Sequence, residues 1–359
     1  MKKKRILTKT FLISISFFSS IILGELLLRM FYADSIVLFP RYQTEANYER
    51  YKIRMNIPNV EYSHATIEGS WQFKTNNRGF RNYEDAVYSK EPGVIRILSV
   101  GDSHTFGYEV SQDSTYSTQL ERHLKLQGIS ADVYNTGVSG FSTAEELVYI
   151  ENEGIKYQPD YIILGFFAND YDDNIRSDLF ELAQDSVREK KYEYLPGIEI
   201  QKFIYKYKIL RWLSENSYLY SFVFNSVWNY FKELSIEDSS EISLEYSVGN
   251  NRTPDGYKTD LAWELLYRMY RFCESHNIKL ILIDIPYKDI NGEVGSSLEN
   301  ILRSRKSAFF HYLFSFKAFN EKLNSSEMHR KKGHYHISEA AHFAIADYCA
   351  TIIQSDIKF

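Results

Sequence analysis

The segment "VIRILSVGDSHTFG", residues 94–107, decides the fold. Its β-branched apolar half, residues 94–100, predicts a buried strand. A carboxylate, a hydroxyl and an imidazole follow almost at once, at Asp102, Ser103 and His104. Ser103 is either the N-cap of a helix or a nucleophile presented at a strand end. The triplet Gly-Asp-Ser occurs by chance in about one in ten chains of this length. The triplet alone therefore does not distinguish the two roles, and the residues at the ends of the other strands are needed.

Strand and helix patterns alternate on both sides of one long interruption. Apolar strand patterns are followed by helical patterns, one of which opens with a capping box of Ser142 and Glu145. This order predicts an α/β domain with a parallel sheet covered by helices on both faces. The interruption, about 171–255, predicts a helical, aromatic-rich insertion. The other predicted elements are helices at 115–128, 142–154, 261–277 and about 338–354, and strands at 131–137, 161–167 and 278–285.

Polar residues follow the strands at the edge where a parallel sheet forms its sites. Asn135 and Gly140 follow the second strand, Asn169 follows the third, and His334 and His336 precede the last helix. A serine hydroxyl needs an adjacent base, most often histidine, and the tetrahedral intermediate of acyl transfer needs donors aimed at its oxyanion. The pattern therefore favours acyl transfer at a serine.

These blocks resemble the SGNH (GDSL-type) hydrolases, serine esterases on a flavodoxin-like three-layer α/β/α sheet. The blocks are "GDSHTFG" (101–107), Asn135 to Gly140, "GFFAND" (165–170) and "HISEAAHFAIA" (336–346). The upstream "TNNRGFR" (75–81) resembles the lead-in of membrane-anchored bacterial members. The similarity covers about 75–170 and 256–355.

The resemblance implies roles for individual residues. Ser103 is the nucleophile and His336 the base, while the Ser103 N–H, Gly140 and Asn169 form the oxyanion hole. Asp102 shapes the nucleophile turn. The family commonly has an Asp two or three residues before the catalytic His, where this chain has His334 and Gly333, and Ala341 replaces its usual Gly. Either a dyad operates with His334 in support, or another acid replaces the Asp, or the site is degenerate.

Composition excludes several other classes. The 359 residues carry a formal net charge of −5, which offers no nucleic-acid footprint. Cys273 and Cys349 favour two buried thiols over a disulfide. The sequence "HYH" (334–336) has no companion set at ligand spacing, so we expect neither a metal nor a cofactor. The acidic residues Asp170, Asp172 and Asp173 predict a solvated loop.

The N-terminus predicts a membrane anchor. The basic sequence "MKKKR" precedes an apolar run, Phe11 to Leu28, whose only charge is Glu25. Its length is near the minimum for a spanning helix, and an uncleaved anchor is favoured over a cleaved signal peptide. We expect segment 1–32 to anchor the chain in a bacterial cell membrane by a single pass, followed by an extracytoplasmic lead-in (33–93) and a hydrolase-like domain (94–359).

The expected function is hydrolysis of an acyl ester, with acetyl as one candidate, on an envelope or exported glycan or a small ester. Two alternatives stay open: an O-acyltransferase acting on a polysaccharide, and a non-catalytic glycan-binding or assembly protein with a decayed site. The aromatic helices of 201–231 predict a packed lid or a sugar platform, and "KYKILRW" (206–212) is also compatible with a membrane surface.

Overall fold

The computed structural model describes residues 2–184, 186–228, 230, 254–289, 291–304 and 310–357. The chain begins with a long helix, α1 (Lys2–Phe31), which is long and apolar enough to cross a membrane. A signal sequence near the N-terminus meets the same criteria of length and apolar composition.

Two antiparallel hairpins follow α1 in the lead-in. They are β1 (Gln43–Tyr48) with β2 (Tyr51–Asn56), and β3 (Glu61–Thr66) with β4 (Gly69–Lys74). Phe73 and Tyr62 pack with Phe106 and Tyr108 of the following domain in one buried cluster. The lead-in therefore packs directly on the segment that follows Ser103.

The central sheet has five parallel strands. Its chain order is β5 (Ile95–Gly101), β6 (Ala131–Asn135), β7 (Tyr161–Phe166), β11 (Lys279–Asp284) and β14 (Tyr312–Phe314), and its spatial order is β14-β11-β7-β5-β6. Counted within the sheet, this is the 2-1-3-4-5 order of flavodoxin-like folds. The predicted α/β class with a parallel sheet is confirmed.

Helices cover both faces of this sheet. The flanking helices of the two faces are α3 (Tyr116–Leu126), α4 (Thr143–Asn152), α9 (Pro254–Ser275) and α13 (Glu339–Ile357). Alternate residues of β5 divide between two cores, since Leu98 and Val100 pack in one and Ile97 in the other. The capping box of Ser142 and Glu145 begins α4 as predicted.

The insertion consists of short elements. They are α5 (Asp170–Ser177), β8 (Phe180–Ala183), β9 (Ser186–Glu189), β10 (Glu193–Tyr194), α6 (Ile198–Lys206), α7 (Lys208–Asn216) and α8 (218–228). The rest of the predicted insertion, 231–253, lies outside the described residues. β10 pairs with β2 in parallel, which ties the insertion to the lead-in.

The C-terminal part completes the domain around the last strands. A small hairpin, β12 (Tyr287–Lys288) with β13 (Val294–Gly295), precedes α10 (Glu299–Ser304). After β14 come α11 (Phe316–Lys322), α12 (Ser325–Met328) and the loop to α13. Cys273 and Cys349 are both free and buried, which confirms the prediction of two buried thiols.

Candidate active site

The nucleophile turn joins β5 to a one-turn helix, α2 (Ser103–Phe106). Asp102 is the N-cap of this helix, and its carboxylate accepts a hydrogen bond from the His104 N–H at 2.8 Å. Ser103 is thus the first helical residue and not the cap. It is partly exposed, whereas Asp102 and His104 are buried. The turn therefore presents the Ser103 side chain to solvent.

His336 lies opposite this serine, in the loop before α13. Its Nε2 is 2.9 Å from Ser103 Oγ, which is hydrogen-bond distance. The neighbouring Ile337 N–H approaches His104 Nδ1 at 3.4 Å, and the Tyr108 ring stacks on His336 at 5.8 Å between centroids. The structure therefore brings together the two residues that the sequence assigns as nucleophile and base.

Glu109 places a negative charge behind His336. Its carboxylate is fully buried, and Oε2 lies 3.5 Å from His336 Nδ1, an ion-pair distance longer than a hydrogen bond. The backbone N–H groups of His334 and His336 donate to it at 2.8 and 3.3 Å. Burial alone raises the pKa of Glu109, but the charge of His336 and the hydrogen bonds outweigh it, and the pKa lies well below its ordinary value. Glu109 is therefore ionised at neutral pH.

Glu109 occupies the space that a side chain at position 333 would need. A Cβ built on Gly333 would lie 2.5 Å from Glu109 Oε1 and 2.9 Å from Thr66 Cγ2. Gly333 also has a φ of +91°, which disfavours other residues. A side chain at position 333 and the Glu109 carboxylate therefore exclude each other. The carboxylate reaches the imidazole from a different point of the chain.

Residues of the lead-in hold the Glu109 loop in place. The fully buried Arg81 donates hydrogen bonds to the carbonyls of Phe106 at 2.9 Å and Val110 at 2.8 Å, on either side of Glu109. His64 of β3 has its Nε2 3.9 Å from Glu109 Oε1. Burial lowers the pKa of His64 to about 4, so this imidazole is neutral at pH 7. The block "TNNRGFR" thus contributes to the site through Arg81.

His334 donates its backbone N–H to Glu109, and its ring lies edge-on to that of His336 with centroids 5.8 Å apart. The residue is exposed, and its ring packs edge-on against Phe39 with centroids 4.9 Å apart. Glu109, His334 and His336 have potential ligand atoms within 4.8 Å of one another, the one such group among the described residues. Of this group, His336 already faces both Ser103 and Glu109.

Two candidate oxyanion donors are backbone N–H groups. Among the described residues, those of Ser103 and Gly140 donate no hydrogen bond. Gly140 has a φ of +77° in the turn after β6. This turn packs on the nucleophile turn, since the Val138 N–H donates to the Gly101 carbonyl at 3.0 Å and a Cβ on Gly137 would overlap Phe106. The β6 loop therefore adjoins Ser103.

The third candidate donor is the side chain of Asn169, the N-cap of α5. Its Nδ2 donates one hydrogen bond to Asp173 Oδ2 at 2.9 Å. An amide nitrogen has two hydrogens, so one remains for an oxyanion. Asn135, in contrast, is buried and structural, because its Nδ2 donates to the Thr105 carbonyl at 2.9 Å.

The acidic residues after Asn169 differ from the prediction made from the sequence. Asp170 and Asp173 lie in the first turn of α5 and are almost fully buried, so the predicted solvated loop is wrong. A helix N-terminus accommodates such residues because its N–H groups are unpaired. Burial raises the pKa of Asp170 well above its ordinary value, and the charges of Glu146 and Asp102 add to this. Burial likewise raises the pKa of Asp102 to about 6.

Several solved structures are similar to this chain. A lipase/acylhydrolase from Enterococcus faecalis has 16% identity over 73% of this chain and 96% of its own, with a TM-score of 0.42. The chain resembles G-D-S-L hydrolases. A GDSL-like lipase from Bacteroides thetaiotaomicron has 12% identity over 76% of this chain and 92% of its own, with a TM-score of 0.36. An acetyl xylan esterase has 14% identity over 72% of this chain and 100% of its own, with a TM-score of 0.38. These structures include hydrolases of the kind that the sequence blocks resemble. A scan of protein-family models and a search of curated proteins find no match.

Glu109 is the functional residue that the sequence reading missed. It stands in "GDSHTFGYEV" (101–110), six positions after Ser103, between the apolar Tyr108 and Val110. A lone acid in a buried stretch beside a nucleophile is a usable signal, because a buried charge needs a partner.

Proposed function

We propose that the chain is a serine esterase that hydrolyses an acyl ester through an intermediate on Ser103. The observation that carries this proposal is the 2.9 Å contact between Ser103 Oγ and His336 Nε2, with the buried Glu109 carboxylate on the other side of the same ring. Nucleophile, base and orienting acid in this order are the arrangement that serine hydrolases require.

In the first half of the reaction, Ser103 Oγ attacks the ester carbonyl while His336 Nε2 takes the hydroxyl proton. The carbonyl oxygen becomes an oxyanion, which the N–H groups of Ser103 and Gly140 and the Asn169 amide stabilise. Glu109 keeps Nδ1 protonated and stabilises the imidazolium by its charge. His336 then gives the proton to the leaving alkoxide, and the acyl group stays on Ser103.

In the second half, water attacks the acyl-Ser103 ester. His336 takes a proton from this water, and the same donors hold the second oxyanion. Collapse breaks the bond to Oγ, returns the proton to Ser103 and releases the carboxylic acid. A sugar hydroxyl that entered in place of water would give an O-acyltransferase with the same residues.

We further propose that the substrate is an acylated glycan of the envelope or an exported glycan, met outside the cytoplasm. The length and composition of α1, and the basic residues that precede Phe11, support a single-pass anchor with the domain on the far side. In this proposal segment 1–32 is the anchor, 33–93 the lead-in and 94–359 the hydrolase domain with its insertion.

The test uses the full chain in detergent with activated acyl esters and acetylated glycans. Wild-type protein is expected to release the acid, and Ser103→Ala to reduce turnover by at least about 10³-fold. Incubation with an acyl donor and a deacylated glycan separates the two reaction types, because ester is gained only by a transferase. Equal turnover in wild type and Ser103→Ala would overturn the proposal.

A further inference from the structure

A cavity of about 400 Å³ lies beside the candidate oxyanion donors. Gly140 lines it, as does Asp173, which holds the Asn169 amide. Its other walls come largely from the insertion and are mostly apolar: Pro196, Gly197, Ile200, Phe224, Val227 and Trp228. The cavity is therefore placed to take the part of a substrate next to the reacting ester.

Three arginines line this cavity, and two of them are neutralised. Arg54 donates to both carboxylate oxygens of Glu145, at 2.8 and 2.7 Å, and Arg176 pairs with Asp173. These pairs explain how two guanidinium groups persist in a largely buried place, since burying a charge without a partner is costly.

Arg41 lacks such a partner. Among the described residues, no carboxylate lies within ion-pair distance of it, and its Nε is buried without a hydrogen bond. The guanidinium instead lies over the rings of Phe39 at 4.7 Å and Trp228 at 5.4 Å. Burial lowers the pKa of Arg41 to about 10, which leaves the group charged at neutral pH. The carboxylate of Asp173 attracts this charge from a distance, but Arg41 is the one arginine of the cavity without an ion pair among the described residues.

We infer that Arg41 binds an anionic group, a carboxylate or a phosphate, on the sugar that carries the ester. The inference deepens the proposed function and rests on it, because it names the substrate as an acidic glycan. A planar guanidinium forms two parallel hydrogen bonds to either anion. Phe39 and Trp228 contact the guanidinium through their rings and accept no hydrogen bond from it in these contacts, so its N–H groups can serve a ligand.

The test measures binding, which does not depend on turnover. Glucuronate, glucose 6-phosphate and glucose are titrated into the full chain carrying Ser103→Ala by calorimetry. At least one of the two acidic sugars is expected to bind about tenfold or more tightly than glucose, and Arg41→Gln to remove the difference. Which acidic sugar binds distinguishes a carboxylate from a phosphate ligand. Arg122→Gln, on the exposed surface of α3, is the matched control and should bind like the parent.

Equal binding of all three sugars, or an unchanged preference in Arg41→Gln, would overturn the inference. Arg41→Lys, which keeps the charge, should keep part of the preference and guards against a variant that fails to fold. If the acidic sugars bind through Arg41 but no ester is cleaved, the proposed esterase function fails while the anion site stands.

The C-terminal part of α1 forms hydrogen bonds with the insertion. The Glu25 carboxylate accepts hydrogen bonds from the backbone N–H groups of Tyr218 at 3.0 Å and Leu219 at 2.8 Å, at the start of α8. Arg29 donates to the Asn216 carbonyl at 2.6 Å and lies over the Tyr218 ring. The charged end of α1 is thus fixed to the insertion.

The insertion helices beside this junction expose several large apolar side chains outside the cavity. The exposed members are Phe203, Ile209, Trp212, Phe222 and Val223. The exposed Lys206 and Lys208 lie among them. Apolar side chains flanked by lysines are typical of helices that lie in the interface of a bilayer.

We propose that α6, α7 and α8 rest on the outer leaflet of the membrane that α1 crosses. If α1 spans a membrane, its contact with the start of α8 places the bilayer next to these helices. The bilayer is therefore the partner that we assign to this surface. This proposal requires the span of α1 but not the esterase activity.

Nitroxide labels on the full chain in vesicles of phosphatidylglycerol and phosphatidylcholine test it. The native cysteines are buried, so a cysteine at Trp212 or Ile209 carries the label. Oxygen, which concentrates in lipid, should relax these labels more than a water-soluble nickel chelate does. A label at Leu126, at the exposed end of α3, is the matched control and should favour the chelate.

Labels at positions 212 and 209 that behave like the label at 126 would overturn the proposal. A label at Ile15 reports separately whether α1 is in the bilayer. Oxygen-favoured relaxation at 15 with chelate-favoured relaxation at 212 and 209 therefore rejects the surface and keeps the anchor.

Discussion

Glu109 combines a buried charge with an unfavourable backbone conformation. Its carboxylate is fully buried and ionised, and its backbone has a φ of +65°, in the left-handed region that non-glycine residues rarely adopt. Such a conformation costs about 1–3 kcal/mol and persists only where the surroundings impose it. Arg81 imposes it here through the carbonyls on either side. The strain and the buried charge both serve to hold an acid behind His336.

Replacement of Glu109 by Gln should lower kcat by about 10²–10⁴-fold. The amide keeps the shape of the side chain but removes the charge that stabilises the imidazolium. Because the protonated imidazole then becomes less favourable, the acidic limb of the pH–rate profile should move to lower pH. His334→Ala is the control and should retain most activity, since His334 contributes only its backbone N–H to Glu109. Equal losses in the two variants would contradict this role of Glu109.

Replacement of Asn169 by Ala should lower kcat by about 10²–10³-fold, the usual cost of one lost oxyanion donor. KM should change much less, because the oxyanion forms only after binding. Asn169→Asp keeps the shape but not the donor and should lose a similar amount. Steady-state kinetics on one activated ester measure both, and a change confined to KM would assign Asn169 to substrate binding instead.

The sequence predicted Ser103 and His336 because each stands in a local block of residues. It did not predict Glu109 as the partner of His336, because the two residues are 227 positions apart and only the fold brings them together. The absence of an acid at positions 333 and 334 was visible in the sequence. The residue that takes the place of this acid was not visible, since any buried carboxylate of the chain could have occupied that position.

At the scale of elements, the turns after β5 and β6 fit together without space for a side chain. A Cβ on Gly137 would overlap the Phe106 backbone of α2. Gly137→Ala must therefore displace the nucleophile turn or the β6 loop. We expect a loss of about 1–3 kcal/mol in the free energy of unfolding, with a marked loss of kcat. Gly128→Ala, at a turn with no neighbour within 4 Å, should keep kcat. Urea unfolding and kinetics on the same samples check this, and full activity in Gly137→Ala would contradict the fit.

Most elements with a clear period were predicted, and short ones were not. The strands β5, β6, β7 and β11 have five to seven residues and apolar patterns that the sequence reveals. The fifth strand, β14, has three residues, too few for any period. The hairpins β1–β2 and β3–β4 were also missed, although apolar and polar residues alternate in β2 and β4.

At the scale of the whole molecule, the orientation of α1 decides where the site operates. The basic residues before Phe11 predict a cytoplasmic N-terminus and an external C-terminus. A reporter active only outside the cytoplasm, fused after Phe359, should therefore be active, and a cytoplasmic reporter at the same point should be silent. Moving the basic residues to the other end of α1 is the control and should weaken this preference. The opposite pattern of reporter activity in the unaltered chain would place the domain in the cytoplasm.

The central claim is that His336 and Glu109 activate Ser103 as a nucleophile. A fluorophosphonate tests it most directly, because this reagent bonds to an activated serine and loses fluoride. Peptide mass spectrometry of the labelled full chain should find the adduct on Ser103, with labelling abolished in Ser103→Ala and slowed by at least about tenfold in Glu109→Gln. An adduct on another serine, or a wild type that stays unlabelled, would contradict the account.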